Sequence, residues 1–201
     1  MWNIPNLLTL FRLCLIPVCL FCFYSELEHA RFFAAFAFWF AAITDMLDGY
    51  LARKMQLMTP FGAFLDPVAD KLMVAAALVL IAVDMQTLWV TIPAFIMISR
   101  EILISALREW MAELGARTSV AVSTVGKYKT AFQMIAISVF LLNWQPLETL
   151  AYLLLYTAVI LTLWSMFIYL KAAWPYLKQP YVKLSEFSQN AYIKAFFFIS
   201  I

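Results

Sequence analysis

The sequence predicts an all-α integral membrane protein: a bundle of six transmembrane helices with a short interfacial helix at its start. Three observations carry this. Of the 201 residues, 65% are hydrophobic and only 13% are charged, and the mean hydropathy is +0.86, more apolar surface than a soluble domain of this length carries. The apolar residues fall into six runs of about 20, the length that crosses a hydrocarbon core as a helix. The runs also open on helix-start signals: Asn3-Ile4-Pro5 and Thr59-Pro60 each set a cap residue before a first-turn proline.

The six segments are expected at 7–24, 31–53, 60–83, 87–110, 124–143 and 148–171. The first is apolar apart from Thr9 and Arg12, and its opening part, with Arg12, is expected to lie along the membrane interface. Ser25-Glu26-Leu27-Glu28 after it offers no small-x-small cleavage site, so the segment reads as uncleaved. Its three cysteines, Cys14, Cys19 and Cys22, read as small apolar filler rather than a metal or redox pair. His29 sits in a short loop with Glu26 and Glu28 and reads as solvated. In the third segment Pro67 removes a backbone donor, which is expected to kink the helix near Asp66 and free a carbonyl there. The loop at 108–129 is the longest. Arg108, Glu109, Glu113 and Arg117 follow a helical pattern, Trp110 suits the interface, and Ser119 to Ser123 breaks the pattern. The membrane domain is expected to span 1–174, and 175–201 is a tail to which no role is attached.

Lys and Arg are unevenly distributed. The loops at 24–30, 84–86 and 144–147 contain neither, and Arg31 is the one cation near them. Arg53, Lys54, Arg108, Arg117, Lys127, Lys129, Lys171 and Lys178 fall on the opposite side. Cytoplasmic loops carry the excess of positive charge, so both termini are expected in the cytoplasm. Neither a basic run nor an interleaved aromatic platform is present, so no nucleic-acid partner is expected.

Function concentrates between Asp45 and Asp70. Four of the chain's five aspartates, Asp45, Asp48, Asp66 and Asp70, lie in these 26 residues. At 100° per residue Asp45, Asp48, Gly49 and Ala52 share one helical face, and Gly62, Asp66 and Asp70 share another. The short connector around Lys54 to Thr59 returns the chain antiparallel, so the two acidic faces can meet. Carboxylates in apolar surroundings are costly unless paired, hydrated or bound to a cation. An all-oxygen set suits Mg²⁺, Mn²⁺ or Ca²⁺. Within the stretch, the cations at hand for structural pairing are Arg53 and Lys54, at the connector.

The pattern D-x2-D-G-x2-A-R-x8-G-x3-D-x3-D, running from Asp45 through Gly49, Ala52, Arg53 and Gly62 to Asp70, resembles the signature of the CDP-alcohol phosphotransferases. These are integral membrane enzymes that move a phosphatidyl or similar group from a CDP-linked donor to an alcohol. Asn3-Ile4-Pro5, Arg12, Arg100-Glu101, Ser105, Arg108-Glu109-Trp110 and Gly126-Lys127-Tyr128-Lys129-Thr130 extend the resemblance to about Leu170. It implies two Mg²⁺ or Mn²⁺ ions on Asp45, Asp48, Asp66 and Asp70, with Asp70 also the general base. It implies Gly49, Ala52 and Gly62 against the cytidine and Arg53 at the pyrophosphate. The implied donor is CDP-diacylglycerol, and the nearest likeness within the family implies sn-glycerol 3-phosphate as acceptor. By the same analogy the protein is a homodimer in a bacterial cytoplasmic membrane, surrounded by lipid, with its active site on the cytoplasmic side.

A second constellation is cationic. Arg100 lies inside an apolar segment, Arg100, Glu101, Ser105 and Arg108 share a helical face, and Lys127 and Lys129 open the next segment on the same side. Arg100, Arg108, Lys127 and Lys129 are candidates to hold an acceptor phosphate. The plainer alternative pairs Arg100 with Glu101 or an aspartate and leaves the lysines as flanking charges. Two other functions stay open on the residues: the same chemistry with serine, inositol phosphate or a second phosphatidylglycerol, and an ion-coupled transporter using the acids. A transporter has no reason for the small residues and arginine of the acid stretch.

Overall fold

The structure, a computed structural model, describes residues 3–55, 59–114 and 124–178. Six α-helices occupy the six predicted segments: α1 (Ile4–Tyr24), α2 (Ala30–Met55), α3 (Pro60–Met85), α4 (Leu88–Glu113), α5 (Thr124–Leu142) and α6 (Glu148–Leu177). A 3₁₀ turn, Gln145–Leu147, leads into α6. No strand occurs among the described residues. Among the described residues three helical stretches are long and apolar enough to cross a membrane: Asn6–Tyr24, Leu88–Glu113 and Gln145–Leu177. α2 and α3 have the length, 26 residues each, but carry the carboxylates, and α5 has only 19 residues.

The interfacial helix expected at the start is not a separate element. α1 runs unbroken from Ile4 to Tyr24, with Asn3 as its cap and Pro17 accommodated inside. Nothing between Asn3 and Pro17 breaks helical geometry. Arg12, expected at the interface, is buried. Pro67 likewise lies within α3 without ending it. α3 closes on Gln86 and α5 on Asn143, both with left-handed backbone (φ 48 and 49); asparagine tolerates that conformation better than most residues. The Arg108–Glu113 pattern is helical, as α4 continues to Glu113. Arg117, Ser119 to Ser123 and the tail from 179 onward lie outside the described residues. α6 runs on through Pro175 to Leu177.

The chain divides into two compact units, Met1–Phe95 with Thr130–Ala158, and Ile96–Lys129 with Val159–Ile201. In the first, α1 packs along α2 and α3. Buried on these helices are Leu15, Cys19 and Phe23 of α1, Ala34, Ala37, Phe38 and Ala41 of α2, and Ala69, Met73 and Ala77 of α3. Buried alanines let helix backbones approach closely, which is how helices associate where lipid offers no hydrophobic contrast. Cys19 behaves as filler: its thiol is buried and donates to the Ala34 carbonyl at 3.5 Å, and all three cysteines are free. His29 is exposed, as expected. The second unit packs Ile104 and Met111 of α4 against Tyr169 and Ala173 of α6. Phe21, Phe36, Leu88, Trp89, Phe95, Trp164 and Phe167 all point outward. Such an apolar exterior suits lipid rather than water.

Candidate functional site

The acid stretch is met by a stripe on α1. Asn6, Thr9 and Arg12 stand three residues apart along an apolar helix, and all three are buried. Each reaches a different point of the Asp45–Asp70 region. The Asn6 amide donates from Nδ2 to Thr59 Oγ1 at 2.9 Å, and the Thr59 hydroxyl lies 3.0 Å from Asn6 Oδ1 as donor. Thr59 Oγ1 also accepts from the Gly62 N–H at 3.1 Å, capping α3. A hydroxyl has one donor and two acceptor positions, and Thr59 uses all three. Thr9 donates from Oγ1 to Asp66 Oδ1. Arg12 Nη1 lies 2.6 Å from Asp45 Oδ1.

The Arg12–Asp45 pair is lopsided. Arg12 is 1% exposed, whereas the Asp45 side chain is 42% exposed. A buried guanidinium costs several kcal/mol unless it is paired. Asp45 supplies the pairing and keeps an open side. Asp66 and Asp70, one turn apart on α3, are half-buried. Within the acid stretch only Arg53 and Lys54 are at hand for pairing, but Asp45 pairs with Arg12, on another helix. The signal was present, since Thr9 and Arg12 are the polar interruptions of an otherwise apolar first run.

Gly62 is buried, and a Cβ built on it would stand 2.5 Å from Asn6 Oδ1 and 3.3 Å from Thr59 Oγ1. The space that glycine leaves is therefore filled by the Asn6 amide. The side chains of Asp48, Ala52 and Arg53, and the surroundings of Gly49, lie outside the described residues. Among the described residues no three acids, histidines or cysteines stand close enough to hold a metal; Asp45 and Asp66 are each anchored on one stripe of α1. The donor chemistry still fits a hard divalent cation: the acids are oxygen donors, and those described are only partly buried.

At the far end of α2 and α3, Arg31 forms a two-pronged pair with Asp84, at 2.8 and 2.5 Å. Its guanidinium also lies 4.2 Å from the centre of the Phe23 ring. This joins the start of α2 to the end of α3 and to α1.

In the second unit the cationic residues gather on Glu101. Arg100, only 6% exposed, donates from Nη1 to Glu101 Oε2 at 3.2 Å and from Nη2 to Ser165 Oγ at 2.5 Å. Lys129 donates to the same Glu101 oxygen at 2.5 Å, and the Tyr169 ring lies 6.0 Å from the Arg100 guanidinium. Arg108 is exposed on α4, apart from this cluster, and the Lys127 side chain lies outside the described residues. Of the alternatives open for Arg100, the structure shows the pairing with Glu101. Glu101 as a hub for two cations was missed, and so was Ser165. Buried Thr162 and Ser165, three apart in an apolar helix, were the available signal.

Residues 2–164 match the family model described as CDP-alcohol phosphatidyltransferase. The chain belongs to the CDP-alcohol phosphatidyltransferase family. It is similar to a protein of Haemophilus influenzae named CDP-diacylglycerol–glycerol-3-phosphate 3-phosphatidyltransferase, 57% identical over 86% of this chain and 94% of that one. Proteins of the same name from Pectobacterium atrosepticum and Yersinia pestis are each 55% identical over 89% of this chain and 99% and 98% of theirs. Asn6, Thr9, Arg12, the whole acid stretch, Arg100, Glu101 and Lys129 fall inside the part matched by the family model, and Ser165 and Tyr169 fall just beyond it.

Proposed function

We propose that this chain transfers the phosphatidyl group of CDP-diacylglycerol to sn-glycerol 3-phosphate, giving phosphatidylglycerophosphate and CMP. The observation that carries the reading is the nearly full-length likeness to transferases of that name, with every position of the acid signature in place. Asp45, Asp48, Asp66 and Asp70 would hold two Mg²⁺ or Mn²⁺ ions. When bound, such ions neutralise the donor pyrophosphate and the charge building on CMP. Gly49 and Ala52 border the cytidine, Arg53 reaches the pyrophosphate, and Gly62 leaves the room that the Asn6 amide fills beside the cap of α3. Asp70 takes the proton of the acceptor's primary hydroxyl. That oxygen bonds to the phosphatidyl phosphorus, and the bond from phosphorus to CMP breaks.

Acceptor choice rests on the cations Arg100, Arg108, Lys127 and Lys129. Two of them on one Glu101 leave the cluster net positive, which favours a phosphomonoester over serine or choline. All six helices are read as spans of a bacterial inner membrane, with both termini and the acid stretch on the cytoplasmic side and the chain as a homodimer. The deciding experiment supplies purified protein with radiolabelled CDP-diacylglycerol, Mg²⁺ and a panel of alcohols. Phosphatidylglycerophosphate should form with glycerol 3-phosphate and vanish with excess EDTA. Product from serine or inositol phosphate alone, or full turnover in EDTA, would refute it.

A further inference from the structure

We infer that Thr9 and Arg12 are positioning residues for the metal-binding carboxylates, and that α1 serves as the jig on which the acid stretch is assembled. The inference rests on the reading of Asp45 and Asp66 as metal ligands and deepens it. α1 is long and apolar enough to span a membrane, yet it buries Asn6, Thr9 and Arg12 on one stripe. Polar groups there are expensive, and a buried arginine most of all. Helix packing alone would be served by leucine or alanine at these positions.

What the three groups touch explains their presence. Asn6 holds the cap of α3 through Thr59. Thr9 holds Asp66, on α3. Arg12 holds Asp45, on α2. Two carboxylates from different helices are thus indexed to one rigid element at a three-residue step. In both cases the α1 group engages Oδ1 from the buried side, and the acid is only partly buried. A carboxylate gripped at one oxygen keeps its second oxygen as a ligand atom and loses the freedom to rotate away from it. Outer partners of this kind orient metal ligands, and removing one typically costs 10–100-fold in metal affinity.

The test reads metal binding directly, with no substrate present. Mn²⁺ is titrated into purified protein and free Mn²⁺ is followed by electron paramagnetic resonance. Thr9→Val keeps the side-chain shape and removes the donor, and it should weaken Mn²⁺ binding about 10–100-fold. Thr9→Ser, which restores the hydroxyl, should recover the parent affinity. In turnover, Thr9→Val should need more Mn²⁺ and approach the parent kcat at saturation, a split that general loosening of the fold does not produce. If Thr9→Val does not fold, as judged by its metal-free melting transition, Arg12→Lys decides by the same titration, since it keeps the charge and loses the guanidinium fork. Asp66→Asn is the reference. If Asp66→Asn binds Mn²⁺ as tightly as the parent, the metal-ligand reading fails and this inference falls with it. If Asp66→Asn weakens binding while Thr9→Val and Arg12→Lys do not, the positioning role alone is overturned.

Discussion

Replacing Gly62 with alanine sets two accounts of one glycine against each other. If Gly62 only leaves room for a nucleotide, an added methyl raises the KM for CDP-diacylglycerol and leaves stability alone or improves it. The packing around Gly62 says otherwise. The new Cβ would stand 2.5 Å from Asn6 Oδ1, where ordinary contact begins near 3.4 Å. The amide cannot yield freely, because Asn6 is buried and bound to Thr59. Displacing it breaks hydrogen bonds worth about 1 kcal/mol each and strands a buried amide at a further 1–3 kcal/mol, roughly. Alanine recovers at most about 1 kcal/mol of helix propensity. The net cost is therefore about 2–4 kcal/mol, or about 5–15 °C in Tm for a chain of this size. The assay is thermal unfolding in detergent micelles without substrate, for Gly62→Ala in the parent and in an Asn6→Ala background. With Asn6 truncated, the obstacle is gone, and most of the penalty should disappear. A Gly62→Ala protein as stable as the parent, or an equal loss in both backgrounds, would refute the reasoning.

Asp70→Asn should lower kcat by about 10²–10⁴, as expected for a lost general base, with donor KM largely kept; steady-state kinetics at saturating Mn²⁺ check this, and near-parent turnover would remove Asp70 from its role. Arg108→Ala, Lys127→Ala and Lys129→Ala should each raise the KM for glycerol 3-phosphate more than that for CDP-diacylglycerol, and an unmoved acceptor KM would leave the cations without that function. Arg31→Ala and Asp84→Ala should each lower Tm and couple by about 1 kcal/mol in a double-mutant cycle, because the pair is two-pronged and partly buried. Strict additivity would mean that the clasp contributes nothing.

Sequence alone determined the helices and the family. Six apolar runs became six helices because run length and caps are local properties: Thr59 caps α3 through the Gly62 N–H, and Pro60 opens it. The family signature was equally legible, since its residues lie close together in the chain at a helical period. Partners distant in the chain were not legible. Arg12 finds Asp45 across 33 positions, Thr9 finds Asp66 across 57, and Arg31 finds Asp84 across 53. No periodicity within a segment encodes which faces of two helices will touch, so Arg12 read as interfacial although the fold buries it against an acid. Glu101 shows the same limit. Its neighbour Arg100 was visible in the sequence, but Lys129 and Ser165 come to this site from α5 and α6. Packing alone decides whether a charge inside an apolar helix meets lipid, water or another charge. Only the tertiary structure shows that α1, which carries no acid of its own, is where Asp45 and Asp66 are anchored.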